Sequence, residues 1–146
     1  MLFAVVVSQF NKEITDGLKA GALDFLSDKG IDGKQVQVFE APGAFEIPLI
    51  AQTLAKTKKF DGIICLGCVV KGDTAHFEFI SLGATVGIQQ AMLETETPIS
   101  FGILTTYTDE QAYARSRPDE HNKGREAASA CIEALETLKL IRLHSW

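Results

Sequence analysis

The sequence predicts an α/β protein, a three-layer α/β/α sandwich around a four-stranded, mostly parallel sheet. Two observations carry that expectation. Short, nearly continuous apolar runs recur along the chain, as strands buried on both faces require. Between them lie longer segments whose apolar residues return every three or four positions, as in amphipathic helices. Strand–helix alternation of this kind is the pattern of βαβ units. No repeat, linker or low-complexity stretch interrupts the 146 residues. A chain of that length buries roughly two-thirds of its unfolded surface, so residues 1–146 are expected to form one domain.

Each element has its own justification. Leu2 to Val7 is a continuous apolar run, hence a central strand, ending at Ser8-Gln9-Phe10-Asn11. A helix follows from about Lys12 to Lys29, with Ile14, Leu18, Ala22, Phe25 and Leu26 as its inner stripe and Gly30 as its stop. Val36 to Phe39 is the second strand. Pro42-Gly43 is turn chemistry, and Pro48 suits the first turn of a helix running to about Lys56. Gly62 to Gly67 is the third strand. From about His76 a third helix carries Phe79, Ile80, Ala84 and Ile88 at helical spacing, ending near Glu94. Pro98 to Thr105 is the fourth strand. Thr108-Asp109-Glu110 reads as a cap and first turn of a short helix through Arg115. The segment Ser116 to His121 breaks it. A last helix runs from about Asn122 to Lys139, with Ala128, Cys131, Ile132 and Leu135 facing inward, and Arg142, His144, Ser145 and Trp146 form a loose tail. Four strands make a thin sheet, and neighbours in an oligomer are expected to cover its edges.

Composition narrows the function. Apolar residues are 46% and charged residues 23%, as in ordinary globular proteins. The net charge of −5 argues against a general nucleic-acid binder. No apolar run approaches the ~20 residues that span a membrane. The opening, Met1-Leu2-Phe3-Ala4-Val5, lacks a charged leader region and reads as the first strand. Three cysteines without a secretory signal point to a reducing cytoplasm. Cys65 and Cys68 are three apart in or beside a strand, so they point to opposite faces and read as buried apolar residues. No metal-ligand constellation stands out. Dinucleotide, P-loop and nucleophile-elbow motifs are absent, and no acidic cluster follows the first strand.

Positive signals gather in the loops at the carboxyl ends of strands, where open α/β sheets bind ligands. The stretch from Gly67 to Glu78 joins the third strand to the third helix. Gly72 permits close approach of backbone, and Asp73, Thr74 and Ala75 lie at the positive end of the helix dipole, a ready anion site. His76 stands beside it, with an ordinary pKa suited to proton transfer near neutrality. Phe10 would stack on a planar ring or fold back over the core. Glu46 would take hydroxyl groups or favour its helix dipole. Arg115, Arg117, Lys123 and Arg125 form a basic cluster, either a solvated helix junction or a phosphate-capturing arm.

Taken in order, Ser8-Gln9-Phe10-Asn11, Pro42 to Pro48, Gly72 to Glu78, Phe101 to Thr106 and Asn122-Lys123-Gly124 make the chain resemble the 6,7-dimethyl-8-ribityllumazine synthase family from the first strand almost to Leu138. The resemblance implies the doubly wound, flavodoxin-like form of the α/β/α sandwich. It implies a cofactor-free condensation of 5-amino-6-(D-ribitylamino)uracil with 3,4-dihydroxy-2-butanone 4-phosphate, the penultimate step of riboflavin biosynthesis. By the same resemblance Phe10 stacks on the pyrimidine, while Asn11, Glu46 and the backbone of Ala44 and Phe45 hold the ribityl chain. Val69 and Val70 bind the uracil edge. Asp73 and Thr74 bind phosphate, Arg115 pairs with it, and His76 transfers protons. Phe101 and Lys123 reach in from a neighbouring subunit of a homo-oligomer built on pentamers.

Two departures stand out. Ser116 to His121 replaces a Gly-rich, Lys-containing stretch, putting Asp119 where a basic residue is usual. An N-terminal extension found in many members is missing ahead of the first strand. The alternative functions are a riboflavin synthase of the archaeal type and a non-catalytic flavin- or lumazine-binding or scaffold protein.

Overall fold

In a computed structural model describing residues 1–144, four parallel strands form one sheet in the order β2-β1-β3-β4. The strands are β1 (Phe3–Ser8), β2 (Val36–Ala41), β3 (Gly62–Val70) and β4 (Ile99–Thr106). The helices are α1 (Lys12–Asp28), α2 (Ile47–Lys56), α3 (His76–Thr95), α4 (Asp109–Ala114) and α5 (Lys123–Leu143). The expected mostly parallel sheet is parallel throughout: Val5 pairs with both Val38 and Ile64, and Cys65 pairs with Phe101.

The pleat divides the core. Phe3, Val5 and Val7 of β1 pack with α1 and α5 residues such as Leu18, Leu26, Ala128 and Cys131 on one face. Ala4 and Val6 pack with Ile47, Ala51, Ala84 and Ile88 of α2 and α3 on the other. The three-layer, flavodoxin-like sandwich follows, with helices on both faces of a doubly wound sheet. The chain changes face between β1 and β3, which opens a crevice at their carboxyl ends. Among the described residues no helix is long and apolar enough to cross a membrane.

Several boundaries move for physical reasons. β3 continues past Gly67 to Val70, because Cys68, Val69 and Val70 pair with Leu104, Thr105 and Thr106. Gly67 is therefore a packing glycine, not a turn: a Cβ there would lie 3.0 Å from the Ser8 hydroxyl and 3.2 Å from Ile47. β2 runs on to Ala41, in register with Ser8. α5 extends four residues beyond Lys139, so Arg142 is helical and donates to the Glu96 carbonyl at 2.9 Å. The loose-tail reading fails there; Ser145 and Trp146 lie outside the described residues. In α1 the deepest positions include Thr15 and Gly21, while Ile14 and Phe25 are only partly buried. Gly30 does stop α1, at φ +77°, with Ile31 donating to Leu26.

α3 departs most from the amphipathic expectation. Ala84, Ile88 and Ala91 face the sheet, but Phe79 does not; it is 72% exposed. Leu82, Val86 and Leu93 continue the outward apolar row from Phe79. A helix apolar on both faces belongs between two packed surfaces, and a single chain provides only one.

Candidate functional site

A cleft of about 610 Å³ opens over the carboxyl ends of β1 and β3. Most of the residues singled out in the sequence line it: Phe10, Asn11, Ala44, Phe45, Glu46, Val69, Val70, Thr74 and His76. Local physics explains the convergence. Gln9 and Phe10 donate through their backbones to the carbonyls of Ala41 and Pro42, tying the loops after β1 and β2 together. Asn11 adopts a left-handed conformation (φ +61°), which asparagine tolerates, and starts α1 from there. Its Nδ2 donates to the Cys68 carbonyl at 3.0 Å, fixing the β1 loop against β3. Phe10 is 70% exposed at the cleft, which removes the reading as a lid folded over the core.

The far wall is the start of α3. His76 is its first residue, and its backbone N–H donates to the Thr74 hydroxyl at 3.3 Å. Gly72 and Thr74 line the cleft, with Asp73 exposed between them. The cleft thus joins an aromatic face, a carboxylate and a helix N-terminus carrying an imidazole. That set suits a ring-bearing polyhydroxylated ligand with an anionic neighbour.

Arg115, Lys123 and Phe101 are elsewhere. They line a second cleft of about 630 Å³ along the free edge of β4, with Leu104, Glu120 and His121. Arg115 caps α4 and donates from Nη1 to the Gln111 carbonyl at 3.0 Å. Lys123 pairs with Glu126 at 2.9 Å. Arg125 belongs to neither cleft's chemistry: it bridges to Asp28 at 2.8 Å and lies over the Phe25 ring. Arg117 lines neither cleft. The basic cluster seen in sequence is therefore divided, with only Arg115 and Lys123 facing one recess.

The family model for 6,7-dimethyl-8-ribityllumazine synthase matches residues 1–139. The chain belongs to the 6,7-dimethyl-8-ribityllumazine synthase family. Among curated relatives, "6,7-dimethyl-8-ribityllumazine synthase 1" of Caulobacter vibrioides is 63% identical over 95% of this chain and 91% of its own length. The lumazine synthases of Salinibacter ruber and Syntrophus aciditrophicus are 51% and 47% identical, covering 90% and 97% of this chain and 84% and 92% of their own lengths.

Within this lumazine synthase-family chain, the cysteines are core residues. Cys65 lies in the α2/α3 core, Cys68 and Cys131 in the α1/α5 core, and all three are free thiols. Burial pushes the Cys68 thiol up to about 11 and Cys131 to about 12, and raises Cys65 strongly. Among the described residues no three of His, Cys, Asp and Glu are grouped to hold a metal. Sequence reasoning gave no separate role to Asn122, whose side chain is almost wholly buried. The usable signal was a pair of glycines one helical turn apart in α1: Gly21 leaves the slot that Asn122 fills, and Gly17 makes room for Ser116.

Proposed function

We propose that the chain condenses 5-amino-6-(D-ribitylamino)uracil with 3,4-dihydroxy-2-butanone 4-phosphate, giving 6,7-dimethyl-8-ribityllumazine and phosphate. The first cleft of one subunit and the second cleft of its neighbour form each site. One observation carries this reading: Phe10, Asn11, Glu46 and His76 line one recess, while Arg115, Lys123 and Phe101 line another. The outward apolar row on α3 supplies a surface through which subunits associate, in an assembly built on pentamers.

The chemistry follows from the residues. Phe10 stacks on the pyrimidine, Val69 and Val70 flank its edge, and Asn11, Glu46 and the backbone at Ala44 and Phe45 hold the ribityl chain. The pyrimidine's amine attacks the ketone and water leaves, forming an imine. His76 removes a carbon-bound proton as the phosphate departs. The phosphate sits at the start of α3, held by Asp73 and Thr74 and by Arg115 and Lys123 of the adjacent subunit, which stabilise it as it leaves. Ring closure loses a second water. Every step moves protons, water or phosphate and none moves electrons between oxidation levels, so the reaction is balanced without a cofactor. Holding both substrates in register supplies much of the acceleration. Membership of a family that acts on small molecules supports a reading in which neither nucleic acid nor membrane is a partner and the work is done in the cytoplasm. Neither a riboflavin synthase nor a binding or scaffold role has an observation in its favour.

The test is subunit mixing. His76→Ala and Arg115→Ala chains, co-expressed with different tags and purified as mixed assemblies, regain sites with both halves intact. Lumazine formation, read by absorbance above a protein-free control, should exceed the average of the two single-variant proteins. Activity no higher than that average would count against a shared site, and no turnover above the control in the unaltered protein would remove the synthase reading.

A further inference from the structure

We infer that Asn122 is a positioning residue for phosphate capture: its buried carboxamide anchors the segment between Arg115 and Lys123 to α1 and so sets where both cations stand. The inference rests on the reading that Arg115 and Lys123 receive the substrate phosphate.

Most of that segment, from Arg117 to His121, is exposed polar chain between two helices, tied within itself by the His121 N–H donating to the Asp119 carboxylate at 2.9 Å. Ser116, at 8% exposure, and Asn122, at 1%, are its buried residues. The Asn122 Nδ2 donates to the Gly17 carbonyl of α1 at 3.1 Å and to the Arg117 carbonyl at 2.8 Å. Its Oδ1 accepts from the Arg125 N–H at 3.1 Å, capping α5. One side chain therefore ties α1, the loop and α5 together. Next to it the Lys123 N–H donates to the Arg115 carbonyl at 2.8 Å, closing the loop at the two residues that carry the cations.

The slot is built from α1's side as well. A Cβ at Gly21 would lie 2.1 Å from Asn122 Oδ1, and one at Gly17 would lie 2.3 Å from the Ser116 carbonyl oxygen. At Gly124 it would lie 1.9 Å from the Leu18 carbonyl oxygen. Three glycines thus bring the loop and the start of α5 into direct backbone contact with α1. Side chains that grip a phosphate work only within a narrow range of position. Loosening this anchor displaces Arg115 and Lys123 and leaves the pyrimidine-binding cleft, on other elements, intact.

The test uses Asn122→Asp and Asn122→Ser. Each keeps an oxygen that can cap α5 and each loses the two Nδ2 donations. Because a carboxylate facing two carbonyls can impair folding, Gly21→Ala is the third variant; it displaces the carboxamide without altering it. Steady-state kinetics with both substrates, alongside light scattering for assembly, should give a KM for the phosphate substrate raised about tenfold, the loss of one or two hydrogen bonds. The KM for the pyrimidine should stay within about twofold, an additive-error margin, while kcat falls with the lost stabilisation of the departing phosphate. Adding Asn122→Ser to a chain that already carries Arg115→Ala and Lys123→Ala should raise that phosphate KM no further, since neither cation is left to displace. Equal shifts in both KM values, or a further rise in that triple variant, would overturn the inference. An effect of Arg115→Ala with none from the Asn122 and Gly21 variants overturns the inference alone. No effect of Arg115→Ala on the phosphate KM overturns the underlying reading and the inference with it.

Discussion

Leu82→Lys is the substitution that most directly probes the shared site. Leu82 is 64% exposed in one chain, in a row with Phe79, Val86 and Leu93 at 72%, 47% and 66%. These positions repeat at three, four and seven residues and so share a face of α3. Full burial of a Leu is worth about 1.5–3 kcal/mol, so covering the exposed part of Leu82 contributes about 1–2 kcal/mol per subunit. An unpaired ammonium in that contact adds a penalty of several kcal/mol more. Around a ring of subunits these losses repeat at each contact, and the assembly should come apart. The subunit should not: Leu82 is mostly free of the core formed by Ala84, Ile88 and Ala91. Light scattering should therefore report a smaller particle while far-ultraviolet circular dichroism keeps its helical signal. Lumazine formation should fall in step with assembly, because in the proposed arrangement each chain alone holds half of the site. A Leu82→Lys protein of unaltered mass and turnover would refute the argument that α3's outer face is buried between subunits. A dissociated protein with full turnover would refute the division of the site.

Four other outcomes are expected. His76→Ala should lower turnover yet leave measurable activity, since substrate alignment remains; an unchanged rate removes His76 from proton transfer. The three thiols should stay unreactive toward a disulfide reagent at neutral pH until the protein is unfolded, and stability should fall at alkaline pH. The sign follows from the raised values: Cys68 rises from 9.0 to about 11 and Cys131 from 9.0 to about 12. Their neutral forms therefore favour the fold fully below pH 9, and this contribution is lost as pH climbs through that window, which denaturant titrations at stepped pH would detect. Gly124→Ala forces α5 away from a carbonyl 1.9 Å from the new Cβ and should cost about 1–3 kcal/mol, seen as a lowered denaturation midpoint. A midpoint unchanged by Gly124→Ala would mean that the α1–α5 contact yields easily.

The fold was legible because its two central strands are buried on both faces. Val5, Val6, Ile63 and Ile64 have no exposed surface, so an uninterrupted apolar run was enough to mark β1 and β3, whereas the edge strand β2 is broken by Gln37 and largely exposed. Ends were less legible where pairing overrode local chemistry. Gly67 has the composition of a stop, yet β4 supplies partners for three residues beyond it. At the end of α5, nothing in Leu140-Ile141-Arg142-Leu143 opposes a helix, and the contact from Arg142 to Glu96 lies across 46 residues of sequence. Phe79 was misplaced for a related reason: hydrophobic spacing marks a residue as apolar and helical but does not say which face of the helix meets the sheet.

The same reasoning explains how far the site could be read. Residues that act from within one loop announce themselves, since Gly72, Thr74 and His76 line one cleft at their own helix start, which is all that the proposed anion site beside an imidazole requires. Residues that act across elements do not. Arg115 and Thr74 are 41 positions apart by their numbers, yet the fold sends them to different recesses, because β4 is an edge strand and α4 turns along its free side. A charge cluster in sequence carries no information about that division: Arg125 looked equivalent to Lys123 until Asp28 and Phe25 claimed it. Asn122 is the extreme case. A neutral side chain at a helix start has the sequence appearance of a simple cap, and its contact with α1 exists only because Gly21, more than a hundred residues earlier, leaves room for it and Gly17 offers its carbonyl. Function in this chain is therefore set as much by where side chains are omitted as by where reactive ones are placed.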